Sequence, residues 1–287
     1  MKKVDFANLK LAYNSQKEEI DLAISKVLDN SNYIMGNEIE LFERKLSVFT
    51  GSTYSYTCSS GTDALILALM AINISPGDEV ITTPFSFIAT AETIAFLGTK
   101  PVFVDIDEKT YNIDVKKIEC KITSKTKAII PVSLFGQVVD FDEINEIANS
   151  YNLFVIEDAA QSFGAKYKGK NSCNIADISC TSFFPAKPLG CYGDGGAIFT
   201  NNKELADKIK SLRIHGQESR YVHKYIGIGG RMDTIQAAVL NVKIDSYFND
   251  IKMRNEVSKK YSHDLKNHFT IPFINDYCDS VWAQYSL

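Results

Sequence analysis

Apolar residues recur three and four positions apart over residues 15–28, where Ile20, Ala23, Ile24 and Val27 follow Glu18 and Glu19. That spacing predicts an amphipathic helix with acids at its electropositive end. A second helix is expected from Asn37, with Ile39, Phe42, Leu46 and Phe49 as its buried stripe and Gly51 as its stop. Residues 54–58 read as a short strand that passes through Ser59-Ser60-Gly61-Thr62-Asp63 into an Ala/Leu-rich helix. Pro76-Gly77-Asp78 predicts a turn, residues 79–83 a strand closed by Pro84, and residues 85–92 the opening of the next helix. The chain then alternates, with strands at 101–105, 128–132 and 153–157 and helices at 115–122 and 142–151.

Near-continuous apolar strands separated by amphipathic helices specify an α/β fold: a mostly parallel, buried central sheet with helices on both faces. Functional residues in such sheets come from the strands' carboxyl ends. Beyond a polar stretch at 166–174, strands are expected at 178–184 and 196–200. A charged helix follows at 203–213, with Leu205, Ile209 and Leu212 facing inward, and then a long polar segment at 214–225. Helix continues over 233–266, in one or two pieces, and a last strand is expected over 280–287. This divides the chain into a large domain, residues 1–245, and the start of a smaller C-terminal domain, residues 246–287, which looks incomplete.

The 287 residues are 45% hydrophobic and 23% charged, as in a globular protein, and the net charge of -4 (31 basic, 35 acidic) comes with no basic block. A nucleic-acid partner is therefore not expected. No apolar stretch reaches membrane-spanning length, since residues 65–74 are too few and are broken by Asn73. The opening residues lack the apolar run of a signal peptide, and the six cysteines form no C-x-x-C pair. A cytoplasmic protein with reduced thiols is the expectation. His215 and His223 lack metal-ligand spacing, so no metal is expected.

Chemistry concentrates in two stretches. Ser182-Phe183-Phe184-Pro185-Ala186-Lys187-Pro188-Leu189-Gly190 sets one lysine between a strand-like aromatic run and the glycine-rich Gly193-Asp194-Gly195-Gly196. Upstream, the apolar strand Val155-Ile156 ends in Glu157-Asp158-Ala159-Ala160-Gln161. A lysine held in a partly desolvated loop can bond an aldehyde, and a buried carboxylate keeps a pyridine nitrogen protonated. The pair suits pyridoxal 5'-phosphate, with Lys187 on the aldehyde and Asp158 on the ring nitrogen. The glycines after Lys187 precede a strand rather than a helix, so a dinucleotide loop and a nicotinamide-dependent oxidoreductase are poorly supported.

With both stretches intact, the sequence resembles the DegT/StrS family of nucleotide-sugar aminotransferases. The resemblance implies fold type I of the pyridoxal-phosphate enzymes and a homodimer whose sites lie at the subunit interface. It also implies L-glutamate as amino donor, a keto nucleotide sugar as acceptor, and a place in surface-polysaccharide synthesis. It gives Gln161 a contact with the cofactor's ring hydroxyl and Ser182 a contact with its phosphate. Gly61 and Thr62 match the family's phosphate-binding turn, although Ser-Gly-Thr-Asp is also an ordinary helix cap. Phe87 is implied as the ring stacked on the pyridine face, with Phe85 or a purely core role as the alternatives. Many relatives carry asparagine at the position of Gly229. Glycine there is similar to the subgroup acting on UDP-2-acetamido-2-deoxy-3-oxo-glucuronate, for which Arg231 is a carboxylate or phosphate partner, or else a structural ion pair with Asp233. Two other readings are a dehydratase branch, which has histidine in place of the lysine, and a non-catalytic relative, since the chain looks shorter than the family.

Overall fold

The computed structural model describes residues 8–287. Helices α1 (Leu9–Ser15), α2 (Lys17–Asn30) and α3 (Asn37–Thr50) lead into β1 (Tyr54–Cys58) and α4 (Gly61–Ala71). Alternation follows through β2 (Glu79–Thr82), α5 (Ala89–Phe96), β3 (Lys100–Phe103), β4 (Thr126–Ile129), α6 (Phe141–Tyr151) and β5 (Phe154–Asp158). Two short strands, β6 (Lys166–Tyr167) and β7 (Lys170–Asn171), precede β8 (Ile178–Ser182), β9 (Gly196–Thr200) and α7 (Lys203–Leu212). The chain ends in β10 (Gln217–Ser219), β11 (Val222–His223), the long α8 (Thr234–Leu265) and β12 (Cys278–Asp279).

The central sheet has seven strands in the order β1-β9-β8-β5-β4-β2-β3. Neighbours from β8 through β3 pair in parallel, and β9 runs against both β8 and β1. Two apolar clusters cover opposite sides of its centre. α4 is apolar nearly all round, with Leu65, Leu67 and Leu69 buried together with Ile156, Ile178 and Ile198, as expected of a helix enclosed on all sides. On the other side Phe42 and Leu46 of α3 and Tyr247 of α8 pack with Phe163, Phe183 and Phe199. Full burial of each such side chain stabilises the fold by about 1.5–3 kcal/mol.

Several expected elements change. Residues 115–122 form two 3-10 turns, Val115–Lys117 and Glu119–Lys121, instead of one α-helix. Ile118 is the one buried side chain among them, too small an apolar face to hold a longer helix. The polar stretch at 166–174 contains the β6–β7 pair, to which β12 adds. Part of the segment at 214–225 is the β10–β11 hairpin. α8 is a single helix of 32 residues, so position 245 falls inside it. The strand expected over 280–287 does not form. Its backbone bonds elsewhere: Val281 N–H donates to the Gly136 carbonyl (3.1 Å), and the Trp282 carbonyl accepts from Arg254 (3.0 Å).

Candidate active site

Asp158 is the last residue of β5 and Lys187 lies in the connection from β8 to β9. β5 and β8 are adjacent, with Asp158 in register with Cys180, so the acid and the lysine loop emerge from neighbouring strands at one end of the sheet. Asp158 is 6% exposed. Its Oδ2 accepts from Thr90 Oγ1 (2.8 Å) and its Oδ1 from the Ala160 N–H (3.1 Å). Burial pushes its carboxyl above the ordinary value, while these two donors and the charge of Lys187 pull it back. Lys187 is half-buried, and burial pushes its amine below the ordinary value against the opposing charge of Asp158. The two groups therefore feel one another: burial disfavours the charged form of each, and their mutual attraction together with the two donors on Asp158 favours it.

The lysine loop is tightly folded. The Lys187 N–H closes a turn onto the Phe184 carbonyl (2.8 Å), Cys191 N–H donates to the Phe183 carbonyl (2.8 Å), and Phe183 N–H donates to the Gly195 carbonyl (2.7 Å). A Cβ on Gly190 would lie 2.4 Å from the Pro185 carbonyl oxygen, so the loop doubles back on itself at a point only glycine can occupy.

Ser60 caps α4 by accepting from the Asp63 N–H (3.0 Å). Gly61 and Thr62 stand in the first turn, where the helix supplies their N–H groups with no acceptor. Ser182 at the end of β8 meets them: a Cβ on Gly61 would fall 2.7 Å from Ser182 Cβ. Helix start and hydroxyl are thus brought together, as an anion site requires. The helix cap and the phosphate turn are compatible readings of one stretch.

Gln161 Oε1 accepts from the Phe135 N–H (2.7 Å), which fixes the amide and leaves its NH2 as a donor. Phe85 stands in an aromatic cluster with Tyr111 and Phe135. Phe87 is 68% exposed, so it is not core. Arg231 makes no ion pair with Asp233 or any other acid among the described residues, and its buried Nε has no partner. The Ser59 N–H donates to the Gly230 carbonyl (3.1 Å), which ties the arginine's segment to the β1–α4 turn. At Gly229 a Cβ would approach the His215 ring at 3.1 and 3.2 Å, so a side chain there would have to displace the imidazole.

Some residues of consequence carry no sequence signal. Thr90 is buried, and Ser86 Oγ lies 2.9 Å from its hydroxyl. Glu157 points to the other face of β5, where Ser133 (3.2 Å), Ser172 (2.7 Å) and the Cys173 N–H (2.8 Å) donate to it; burial raises its pKa. Arg213 is 2% exposed and pairs with Glu43 (2.5 Å) and the Thr57 carbonyl (2.7 Å). All six cysteines are free, and five are buried. No His/Cys/Asp/Glu cluster able to hold a metal occurs among the described residues, and no helix there is long and apolar enough to cross a membrane.

The donor set fits pyridoxal phosphate: a buried acid for the pyridinium, an amine of lowered pKa for the aldehyde, an amide donor for the ring oxygen, and a helix start with a hydroxyl for the phosphate. Residues 14–287 match the model of the DegT/DnrJ/EryC1/StrS aminotransferase family. The chain is 52% identical over 285 residues to the UDP-2-acetamido-2-deoxy-3-oxo-D-glucuronate aminotransferase of Pseudomonas aeruginosa, covering 99% of this chain and 79% of that one. It is 41% identical over 253 residues to the UDP-N-acetyl-3-dehydro-alpha-D-glucosamine 3-aminotransferase of Acidithiobacillus ferrooxidans, covering 88% and 69%. Among solved structures, a DegT DnrJ EryC1 StrS aminotransferase from Brucella abortus superposes with a TM-score of 0.97 at 41% identity, over 99% of this chain and 78% of that one. NtdA of Bacillus subtilis, solved with bound PMP, gives 0.92 at 35% identity, over 99% and 66%. With its acid at the end of one strand and its lysine in the loop that follows the neighbouring strand, the chain belongs to the DegT/DnrJ/EryC1/StrS aminotransferase family, whose cofactor is pyridoxal 5'-phosphate.

Proposed function

We propose that the protein transfers the amino group of L-glutamate to a keto nucleotide sugar, with UDP-2-acetamido-2-deoxy-3-oxo-glucuronate as acceptor, in surface-polysaccharide synthesis in the cytoplasm. The pairing of Lys187 with the buried Asp158 carries the reaction type. The 52% identical relative supports the acceptor.

When bound, pyridoxal phosphate supplies an aldehyde that exchanges amino groups and an electron-poor ring that accepts the pair left by a departing proton. Asp158 holds the pyridinium proton, and Thr90 and Ala160 hold Asp158. Lys187 would hold the group at its aldehyde, and its amine would serve as the base and acid that moves the proton at the substrate carbon. Gly61, Thr62 and Ser182 would hold the phosphate, Gln161 the ring oxygen, and Phe87 the pyridine face. Arg231, with no acid beside it, takes a carboxylate or phosphate of the sugar nucleotide through its parallel donors. The exposed run Tyr33-Ile34-Met35 and the exposed pair Phe87-Ile88 support a homodimer.

The test is 2-oxoglutarate formation by the purified chain loaded with pyridoxal phosphate, given glutamate and UDP-3-keto sugars. Turnover lost in Lys187→Ala supports the reading; undiminished turnover in that variant refutes it.

A further inference from the structure

α8 touches the lysine loop at successive points. Gln236 and Lys243 are seven residues apart, two turns of helix, and so share one face. Gln236 Oε1 accepts from the Tyr192 N–H (2.9 Å), and its Nε2 would lie 2.8 Å from a Cβ on Gly193. Lys243 Nζ donates to the Gly190 carbonyl and lies 5.3 Å from the centroid of the Tyr192 ring. Lys243 is partly buried and burial lowers its pKa, so its ammonium depends on that carbonyl and that ring face. Gly190 in turn lies against the Phe184 and Pro185 carbonyls, the start of the turn closed by the Lys187 N–H.

We infer that Gln236 and Lys243 are positioning residues that hold the lysine loop from α8 and thereby set the place of Lys187. The chain of contact runs from Lys243 through Gly190 to the Phe184–Lys187 turn. Neither side chain touches the reacting atoms. A loop free to drift would carry the amine away from the aldehyde, and a displacement of about 1 Å can cost on the order of a hundredfold in rate. The inference rests on the reading of Lys187 as the residue that bonds pyridoxal phosphate, its nitrogen joining the aldehyde carbon as the oxygen leaves as water.

The experiment uses the full chain without cofactor, wild type against Lys243→Met, Lys243→Arg and Gln236→Ala. Pyridoxal phosphate is added, borohydride traps the covalent product at timed intervals, and intact mass gives the fraction attached; melting temperature is measured alongside. Expected is attachment on the order of tenfold slower in Lys243→Met and Gln236→Ala, with Lys243→Arg near wild type. Should Lys243→Met fail to fold, Gln236→Ala decides, because Tyr192 is exposed and water can take its N–H. Wild-type attachment rates in the folded Met and Ala variants, with or without a lower melting temperature, would overturn the clamp alone. A wild type that never attaches the cofactor would overturn the reading of Lys187, and the clamp with it.

Discussion

Thr90 Oγ1 donates to Asp158 Oδ2 at 2.8 Å from the first turn of α5, four elements upstream of β5, the strand that carries the acid. With the Ala160 N–H on Oδ1, the bond orients the carboxylate before any ligand arrives, and a hydrogen bond to a charged group contributes about 1.5–3 kcal/mol. Thr90→Val keeps the shape and removes the donor. Its dissociation constant for pyridoxal phosphate should rise about tenfold or more, with Thr90→Ser close to wild type; equilibrium dialysis reads both.

The amine of Lys187 should show its lowered pKa in kinetics. Burial depresses it below 10.5 and the charge of Asp158 opposes the shift. The rate of covalent attachment to the cofactor-free protein should therefore rise with pH and reach half its maximum below 10.5. Asp158→Asn removes the opposing charge and should move the midpoint lower still. Between the folded pKa and 10.5 the unfolded chain holds more protons at this residue, so its contribution makes stability rise with pH there. A midpoint at or above 10.5 would refute the environment described for this amine.

Gly61→Ala tests the anion cradle. The new methyl would fall 2.7 Å from Ser182 Cβ, forcing the start of α4 away from β8. Overpacking of this kind costs about 1–3 kcal/mol. Loss of affinity for both pyridoxal phosphate and inorganic phosphate is expected, since the damage is to the phosphate end; unchanged phosphate binding would place the anion elsewhere.

Arg213 and Glu43 join α3 to the end of α7 across β1, with the guanidinium also 5.2 Å from the Tyr56 ring centroid. Arg213→Met strands a nearly buried acid and should lower stability by about 3–5 kcal/mol in urea unfolding. Adding Glu43→Leu removes the stranded charge and should recover part of that loss.

How far the site could be read in advance depended on how local its physics is. Asp158 and Lys187 stood out because an apolar run ending in an acid, and a lysine beside glycines, are patterns a few residues long. Thr90 was illegible: a β-branched residue opening a helix looks the same whether or not its hydroxyl meets an acid 68 positions away. Arg213 was equally silent, since its partner lies 170 residues upstream. The sheet and its helices followed from periodicity. The 3-10 turns at 115–121 did not, because Val115, Ile118 and Ile122 have helical spacing but only Ile118 is buried. Nor did the irregular residues 280–287, whose alternating apolar positions suit a strand while their backbone is engaged by Gly136 and Arg254.

Because β5 and β8 are hydrogen-bonded neighbours, the roots of the acid's and the amine's segments inherit the interstrand repeat of about 4.8 Å. That length is a property of peptide ladders and is indifferent to side-chain identity. Drift in the surrounding helices can therefore remodel what the enzyme accepts while the gauge between the two segments that carry Asp158 and Lys187 stays constant, leaving acceptor choice free to diversify around a fixed spacing.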